Sequence, residues 1–124
     1  MGNEDFEVRL LDNNIMKKAI IYVRTDFWGA LAVKDLLAQE KHCLAYAEAN
    51  GLKIANVFRE KPWKRQKKGQ IAAALQYAKD SAGEVDMLIV YRQKNLDNTK
   101  MYFIKKVAAF RSIGMRIVFT SLEK

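Results

Sequence analysis

Three short clusters in this 124-residue sequence hold side chains able to act on an anion. The first is Arg24-Thr25-Asp26, directly after the apolar run Ala19-Ile20-Ile21-Tyr22-Val23. It combines a guanidinium, which grips an oxyanion through two parallel hydrogen bonds, with a hydroxyl and a carboxylate. The second is the basic strip Lys61, Lys64, Arg65, Lys67 and Lys68, interrupted by Pro62 and Trp63. The third is Arg92 and Lys94, which follow Asp86-Met87-Leu88-Ile89-Val90-Tyr91. Together they suit phosphate contact, with a solvated loop and helix edge as the plainer reading of the basic strip. Trp63 has the chemistry to stack on a base, although packing beneath its own loop is the simpler expectation.

Other chemistries lack their parts. No G-x-G-x-x-G follows the first apolar run, and no G-x-x-x-x-G-K-[ST] occurs anywhere. His42 is the only histidine and Cys43 the only cysteine, adjacent in one helical segment, so the pair does not converge on a metal. A Ser-His-Asp triad has neither a nucleophile elbow nor a suitably placed histidine. A phospho-acceptor site needs paired carboxylates after the first strand, and only Asp26 is there. Cys43 shares its stripe with Leu36, Leu37, Leu44 and Ala47 and reads as a buried, inert thiol. No metal and no cofactor are expected.

Charge is unevenly spread. Residues 1–60 carry 8 Lys/Arg and 9 Asp/Glu, a net of −1; residues 61–124 carry 14 and 5, a net of +9. The overall +8 favours anionic partners. An apolar share of 50% supports a folded core, and the length suits one domain. No apolar run reaches the ~18 residues of a membrane span, and the acidic start does not resemble a secretory signal. The expected setting is cytoplasmic, with no membrane partner.

These clusters need elements to position them. Residues 1–17 read as an N-terminal arm, and residues 18–124 as the domain. Ala19–Val23 has the continuous apolar pattern of a strand buried on both faces. Leu31–Asn50 reads as a helix, with Val33, Leu36, Leu37, Glu40, Cys43, Leu44 and Ala47 on one stripe and Gly51 as its stop. Lys53–Phe58 forms a second strand, Arg59–Lys68 a loop and Gln70–Lys79 a second helix packed through Ile71, Ala74, Leu75 and Ala78. Asp86–Tyr91 is the third strand. The polar stretch Arg92–Asn98 leads to a helix that Asp97, Asn98 or Thr99 caps and that runs to about Ile113. Its apolar positions are Phe103, Ile104, Val107, Ala108 and Phe110, Gly114 stops it, and Met115–Thr120 is the fourth strand. Trp28 is expected to cover the sheet edge, and Tyr22 and Tyr91 to be core residues with hydroxyls satisfied at the strand ends. Strands alternating with helices predict an α/β fold: three layers, a mainly parallel β-sheet and helices on both faces. Reactive groups in such sheets gather beyond the carboxyl ends of the strands, where all three clusters fall.

Four stretches then resemble the catalytic domain of serine recombinases, the resolvase–invertase family. Ala19-Ile20-Ile21-Tyr22-Val23-Arg24 is similar to the family's opening strand, which ends in Tyr-x-Arg-x-Ser. Gln39-x-x-x-Cys43-x-x-Tyr46-Ala47-x-x-x-Gly51 is similar to its first helix. Asp86–Tyr91, followed by Leu96, resembles its Asp-apolar run-Tyr-Lys-x-Asp-Arg-Leu-Ser-Arg segment, and Ile113-Gly114-Met115-Arg116-Ile117-Val118 its closing strand. The likeness spans about residues 18–123.

The resemblance implies a resolvase-like fold and phosphoryl transfer on DNA, in which a serine attacks a backbone phosphate and arginines stabilise the developing charge. Carried over residue by residue, Arg24 matches the first arginine. Asp26 stands at the serine position, where an anion beside a phosphate repels substrate. The second cluster of the family appears as Lys94-Asn95-Leu96-Asp97-Asn98, without its arginines, and a further arginine falls near Lys68, which keeps charge but loses the fork. The family's long dimer helix and DNA-reading domain are expected after the fourth strand, and the sequence stops at Lys124. The expectation is a catalytically silent recombinase-like module that binds DNA with little sequence specificity, or a protein partner, or a second copy of itself. Two alternatives stand beside it: an active strand-transfer enzyme using Thr25 with Arg24, Lys68 and Arg92 as its clamp, and a pure protein-interaction domain.

Overall fold

Ala19 to Val23 have no solvent exposure, which a strand achieves only when both faces and both edges are covered. They form the middle of β1 (Lys18–Arg24) in a computed structural model that describes residues 17–62 and 69–121. β2 (Lys53–Glu60) and β3 (Val85–Val90) flank β1, and β4 (Arg116–Phe119) lies outside β3. The order is β2-β1-β3-β4, with every pairing parallel. Four helices join the strands: α1 (Gly29–Ala49), α2 (Gly69–Asp80), α3 (Gln93–Leu96) and α4 (Lys100–Ser112).

The pleat of β1 and β3 divides the core in two. Ala19, Ile21, Val23, Met87 and Ile89 pack against Leu36, Cys43 and Ala47 of α1. Ile20, Tyr22, Leu88 and Val90 pack against Ala74 and Ala78 of α2 and Phe110 of α4. The expected three-layer α/β architecture is therefore present, with α1 on one face and α2 and α4 on the other. Among the described residues, no helix is long and apolar enough to cross a membrane.

Local chemistry explains the element ends. Gly51 has φ +66°, a left-handed conformation in which a Cβ is costly. The Leu52 N–H donates to Ala47 O at 2.9 Å and Gly51 N–H to Glu48 O at 3.3 Å, closing α1 in a Schellman motif. Cys43 is buried as expected. Burial pushes its thiol up to about 12, against a smaller downward pull from a hydrogen bond with Thr120, so it stays protonated at neutral pH.

The structure corrects four expectations. The α1 stripe is rotated: Ala32, Leu36, Gln39, Cys43 and Ala47 are buried, whereas Val33, Leu37 and Leu44 are exposed. Glu40, the polar exception on the expected stripe, sits at the sheet margin and accepts two hydrogen bonds from Arg59, at 2.8 and 2.9 Å. β2 runs two residues past Phe58, because Arg59 is held by Glu40 and the Thr25 N–H continues the ladder to Glu60 O at 3.1 Å. The stretch after β3 contains one helical turn, α3, which buries Asn95 and Leu96. Trp28 does not cover the sheet edge; it is 60% exposed.

Glu60 ties β1, β2 and α2 together. Its Oε1 accepts from the Tyr22 hydroxyl at 2.7 Å and from the N–H groups of Gln70 and Ile71 at 3.1 and 3.3 Å. The carboxylate thus caps α2, where backbone donors and the helix dipole favour an anion. Gly69 at φ +41° allows the approach, since a Cβ there would collide with the Glu60 carboxylate. Burial, reinforced by Glu60, raises the Tyr22 pKa well above its usual value and keeps the hydroxyl a donor. Replacing Tyr22 with Phe leaves the ring and removes one charge-assisted hydrogen bond, so urea denaturation is expected to show a loss of about 1.5–3 kcal/mol. An unchanged midpoint and slope would mean that this bond adds nothing to stability.

Candidate functional site

β1 ends inside the protein, and its last peptide groups must find partners there. The Gln39 side chain supplies them: Oε1 accepts from Arg24 N–H at 3.2 Å, and Nε2 donates to Arg24 O at 2.7 Å. Nε2 also donates to Asp35 Oδ2 at 3.1 Å, one turn earlier on α1. From the other side, Asn95 Nδ2 reaches Arg24 O at 3.3 Å, while Asn95 Oδ1 accepts from Arg92 N–H at 3.1 Å. Two amides on separate helices thus fix the carboxyl ends of β1 and β3 beside each other.

The next residue turns inward. Thr25 is 2% exposed, and its Oγ1 accepts from Phe27 N–H at 3.1 Å. Asp26 turns outward, 63% exposed on its side chain, and forms an ion pair with Arg24 at 3.3 Å. Asn98 Nδ2 approaches the other Asp26 oxygen at 3.5 Å.

These groups border a cleft of about 160 Å³ at the strand ends. Its cations are Arg24, Arg92 and Lys94; its carboxylates are Asp26 and Asp35; Asn95, Asn98 and Phe27 complete the wall. The Arg92 guanidinium lies 5.2 Å from the centre of the Tyr91 ring. That ring stacks on His42, with centroids 4.9 Å apart. The sole histidine is therefore an exposed ring on a half-buried tyrosine, outside the cleft lining. Among the described residues, none that lines the cleft bears a hydroxyl or thiol. Among the described residues, no group of three or more His, Cys, Asp or Glu could hold a metal ion.

Of the residues singled out by sequence, the fold brings Arg24, Asp26, Arg92 and Lys94 to this one cleft. Lys61 is exposed just beyond β2. Trp63, Lys64, Arg65, Lys67 and Lys68 lie outside the described residues. Asp35, Gln39 and Asn95 were not foreseen as parts of the site. The signal for the buried amides was slight: Gln39 falls one helical turn before Cys43, and Asn95 adjoins the only apolar residue, Leu96, in a polar stretch.

No protein-family model and no curated protein sequence matches the chain. Solved structures do. The C-terminal catalytic domain of ISC1926 TnpA, an IS607-like serine recombinase, superimposes with a TM-score of 0.71 at 22% identity, over 86% of this chain and 69% of that one. A resolvase family site-specific recombinase from Streptococcus pneumoniae gives 0.74 at 14% identity, over 84% and 72%. The N-terminal catalytic domain of TP901-1 integrase gives 0.68 at 17% identity, over 84% and 77%. The chain therefore has the fold of serine recombinase catalytic domains.

Asp97, between α3 and α4 and next to the cleft-lining Asn98, is held through both carboxylate oxygens. Its Oδ2 accepts from Lys106 Nζ at 2.7 Å and its Oδ1 from Thr99 N–H at 2.8 Å, and Lys106 also donates to Leu96 O at 3.2 Å. Partial burial acts to raise the Asp97 pKa, but the hydrogen bonds from Lys106 and Thr99 and the Lys106 charge outweigh it, so the carboxyl sits below its usual value. A carboxyl depressed in the folded state adds stability above its unfolded pKa of about 3.9 and loses it as pH falls through the lower folded value. Asp97→Asn is therefore expected to lower stability at pH 7 and to flatten the stability profile below about pH 4. Thermal denaturation between pH 2 and 7 measures both, and parallel profiles for the two proteins would contradict the assignment.

Proposed function

We propose that this chain is a recombinase-fold module that binds DNA through its phosphates and does not cut it. The observation that carries the reading is the composition of the cleft: three cations, with no hydroxyl or thiol to attack phosphorus. Asp26 occupies the position at which the family resemblance puts the nucleophilic serine, and it partly neutralises Arg24 at 3.3 Å. A carboxylate there opposes approach of a phosphate to Arg24, which leaves Arg92, Lys94 and Lys61, with the basic residues 64–68, as the main contacts. Such contacts hold the backbone without reading bases, so sequence preference is weak. Cytoplasmic location and pairing with a second copy belong to the same proposal.

The active alternative finds less support. Thr25 is buried, its oxygen is engaged by Phe27 N–H, and it does not line the cleft. The protein-interaction alternative has one observation in its favour: Leu31, Val33, Leu37 and Leu44 leave apolar surface exposed on α1.

Incubation with supercoiled plasmid is expected to give neither nicks nor a covalent 5′ adduct. Nicking that disappears in Arg24→Ala would overturn the proposal. In gel-shift titrations, affinity for duplex DNA should fall steeply as salt rises. Asp26→Asn should tighten binding about two- to fivefold at low salt, because it removes an exposed charge that competes with phosphate. Absence of DNA binding at low salt would favour the protein-interaction reading instead.

A further inference from the structure

The loop between β1 and α1 is short and held in place. Thr25 N–H continues the sheet ladder to Glu60 O at 3.1 Å, and Thr25 Oγ1 accepts from Phe27 N–H, also at 3.1 Å. Gly29 then starts α1 at φ +61°. This backbone leaves two aromatic side chains in solvent: Phe27 is 52% exposed and Trp28 60%. Neither belongs to either half of the core. A large ring left in water gives up much of the burial that makes aromatic residues useful in folding. Phe27 differs from Trp28 in one respect. It lines the cleft at the strand ends, together with Arg24, Arg92 and Lys94.

The cleft matches a whole nucleotide better than a phosphate alone. Its cations suit the phosphate. Asp26 and Asp35 also line it and oppose an anion, yet a carboxylate accepts hydrogen bonds from the amino and ring N–H groups at a base edge. An exposed phenyl face beside these groups is a stacking surface for the base itself. Size agrees with this. A cavity of about 150 Å³ takes a benzene-sized ring, and the cleft measures about 160 Å³. A duplex cannot use such a surface, because its bases are stacked on one another and paired inward. Only its phosphates reach the cations. An unpaired nucleotide presents phosphate, base face and base edge together.

We propose that the cleft takes one unpaired nucleotide of single-stranded DNA, with Phe27 stacked on its base. This rests on the DNA-binding reading above and deepens it. Arg92 and Lys94 hold the phosphate, and Phe27 adds a contact that duplex DNA does not make. The loop is already fixed by Thr25, so ordering the ring costs little on binding.

Fluorescence anisotropy with the full chain tests this. The probes are a labelled single strand of mixed sequence, a strand of the same length built only of abasic sites, and a duplex of the mixed sequence. The abasic strand keeps the phosphates and lacks the base faces. Wild type is expected to bind the normal strand about fivefold or more tightly than the abasic strand. Phe27→Ala should bind those two strands within about twofold of each other, since the stacking contact is gone. Phe27→Tyr, which keeps the ring, should retain the difference, as should Trp28→Ala, which alters an aromatic outside the cleft lining. Equal binding of normal and abasic strands by wild type would overturn the inference, and so would a difference that survives in Phe27→Ala. Salt-sensitive duplex binding in the same series would leave the phosphate-contact reading standing. Failure to bind any of the three probes at low salt would overturn both.

Discussion

The central strand of this protein is sealed on every side, and that creates a problem at its carboxyl end. Burial of Ala19 to Val23 supplies much of the hydrophobic drive, at about 25 cal/mol per Å² of apolar surface. The chain must nevertheless leave the sheet at Arg24, whose own N–H and C=O find side-chain partners while Thr25 N–H still donates to Glu60 O. A buried N–H or C=O without a partner costs about 1–3 kcal/mol, enough to erode a fold of ordinary stability. Gln39 meets both groups of Arg24, and Asn95 adds a second donor from α3. The positions of α1, α3 and the cleft all follow from that clamp.

The clamp also decides what the cleft can do. Because the Arg24 backbone is fixed, its side chain projects from a rigid base toward Asp26. Thr25 is turned into the protein by the same geometry, so its hydroxyl completes a turn instead of facing the cleft. Asn95, which stands where the resemblance has an arginine, no longer offers charge; it holds the peptides of Arg24 and Arg92. Groups that suit phosphate chemistry elsewhere serve here as internal ties. A second tie, Glu60, fills the N-terminus of α2 with the chain's own carboxylate, so that donor set is spent on folding.

Much of the fold was legible from patterning. The continuous apolar runs at 19–23 and 86–91 announced strands covered on both faces, and their alternation with helical segments implied parallel crossovers. What patterning missed has a common cause. Buried polar residues such as Gln39 and Asn95 look like surface residues in a hydropathy reading, because their hydrogen-bond partners lie far away in sequence. The rotated stripe on α1 has the same origin: the helix turns Gln39 inward to meet Arg24, and Leu37 and Leu44 are carried outward. Arg59 escaped assignment to β2 because its partner, Glu40, is 19 residues away.

Sequence alone determined the parallel α/β framework, the cationic second half and the likeness to recombinase catalytic domains. Those depend on local periodicity and residue type, which a linear chain displays directly. Only the tertiary structure decided that Arg24, Asp26, Arg92 and Lys94 share one cleft, that Thr25 faces away from it, and that β1 lies between β2 and β3 with β4 outside β3. Those depend on which strand neighbours which, and on how each orphaned peptide group finds a partner. The need to satisfy buried hydrogen bonds sets both, and it acts between residues that the chain keeps far apart.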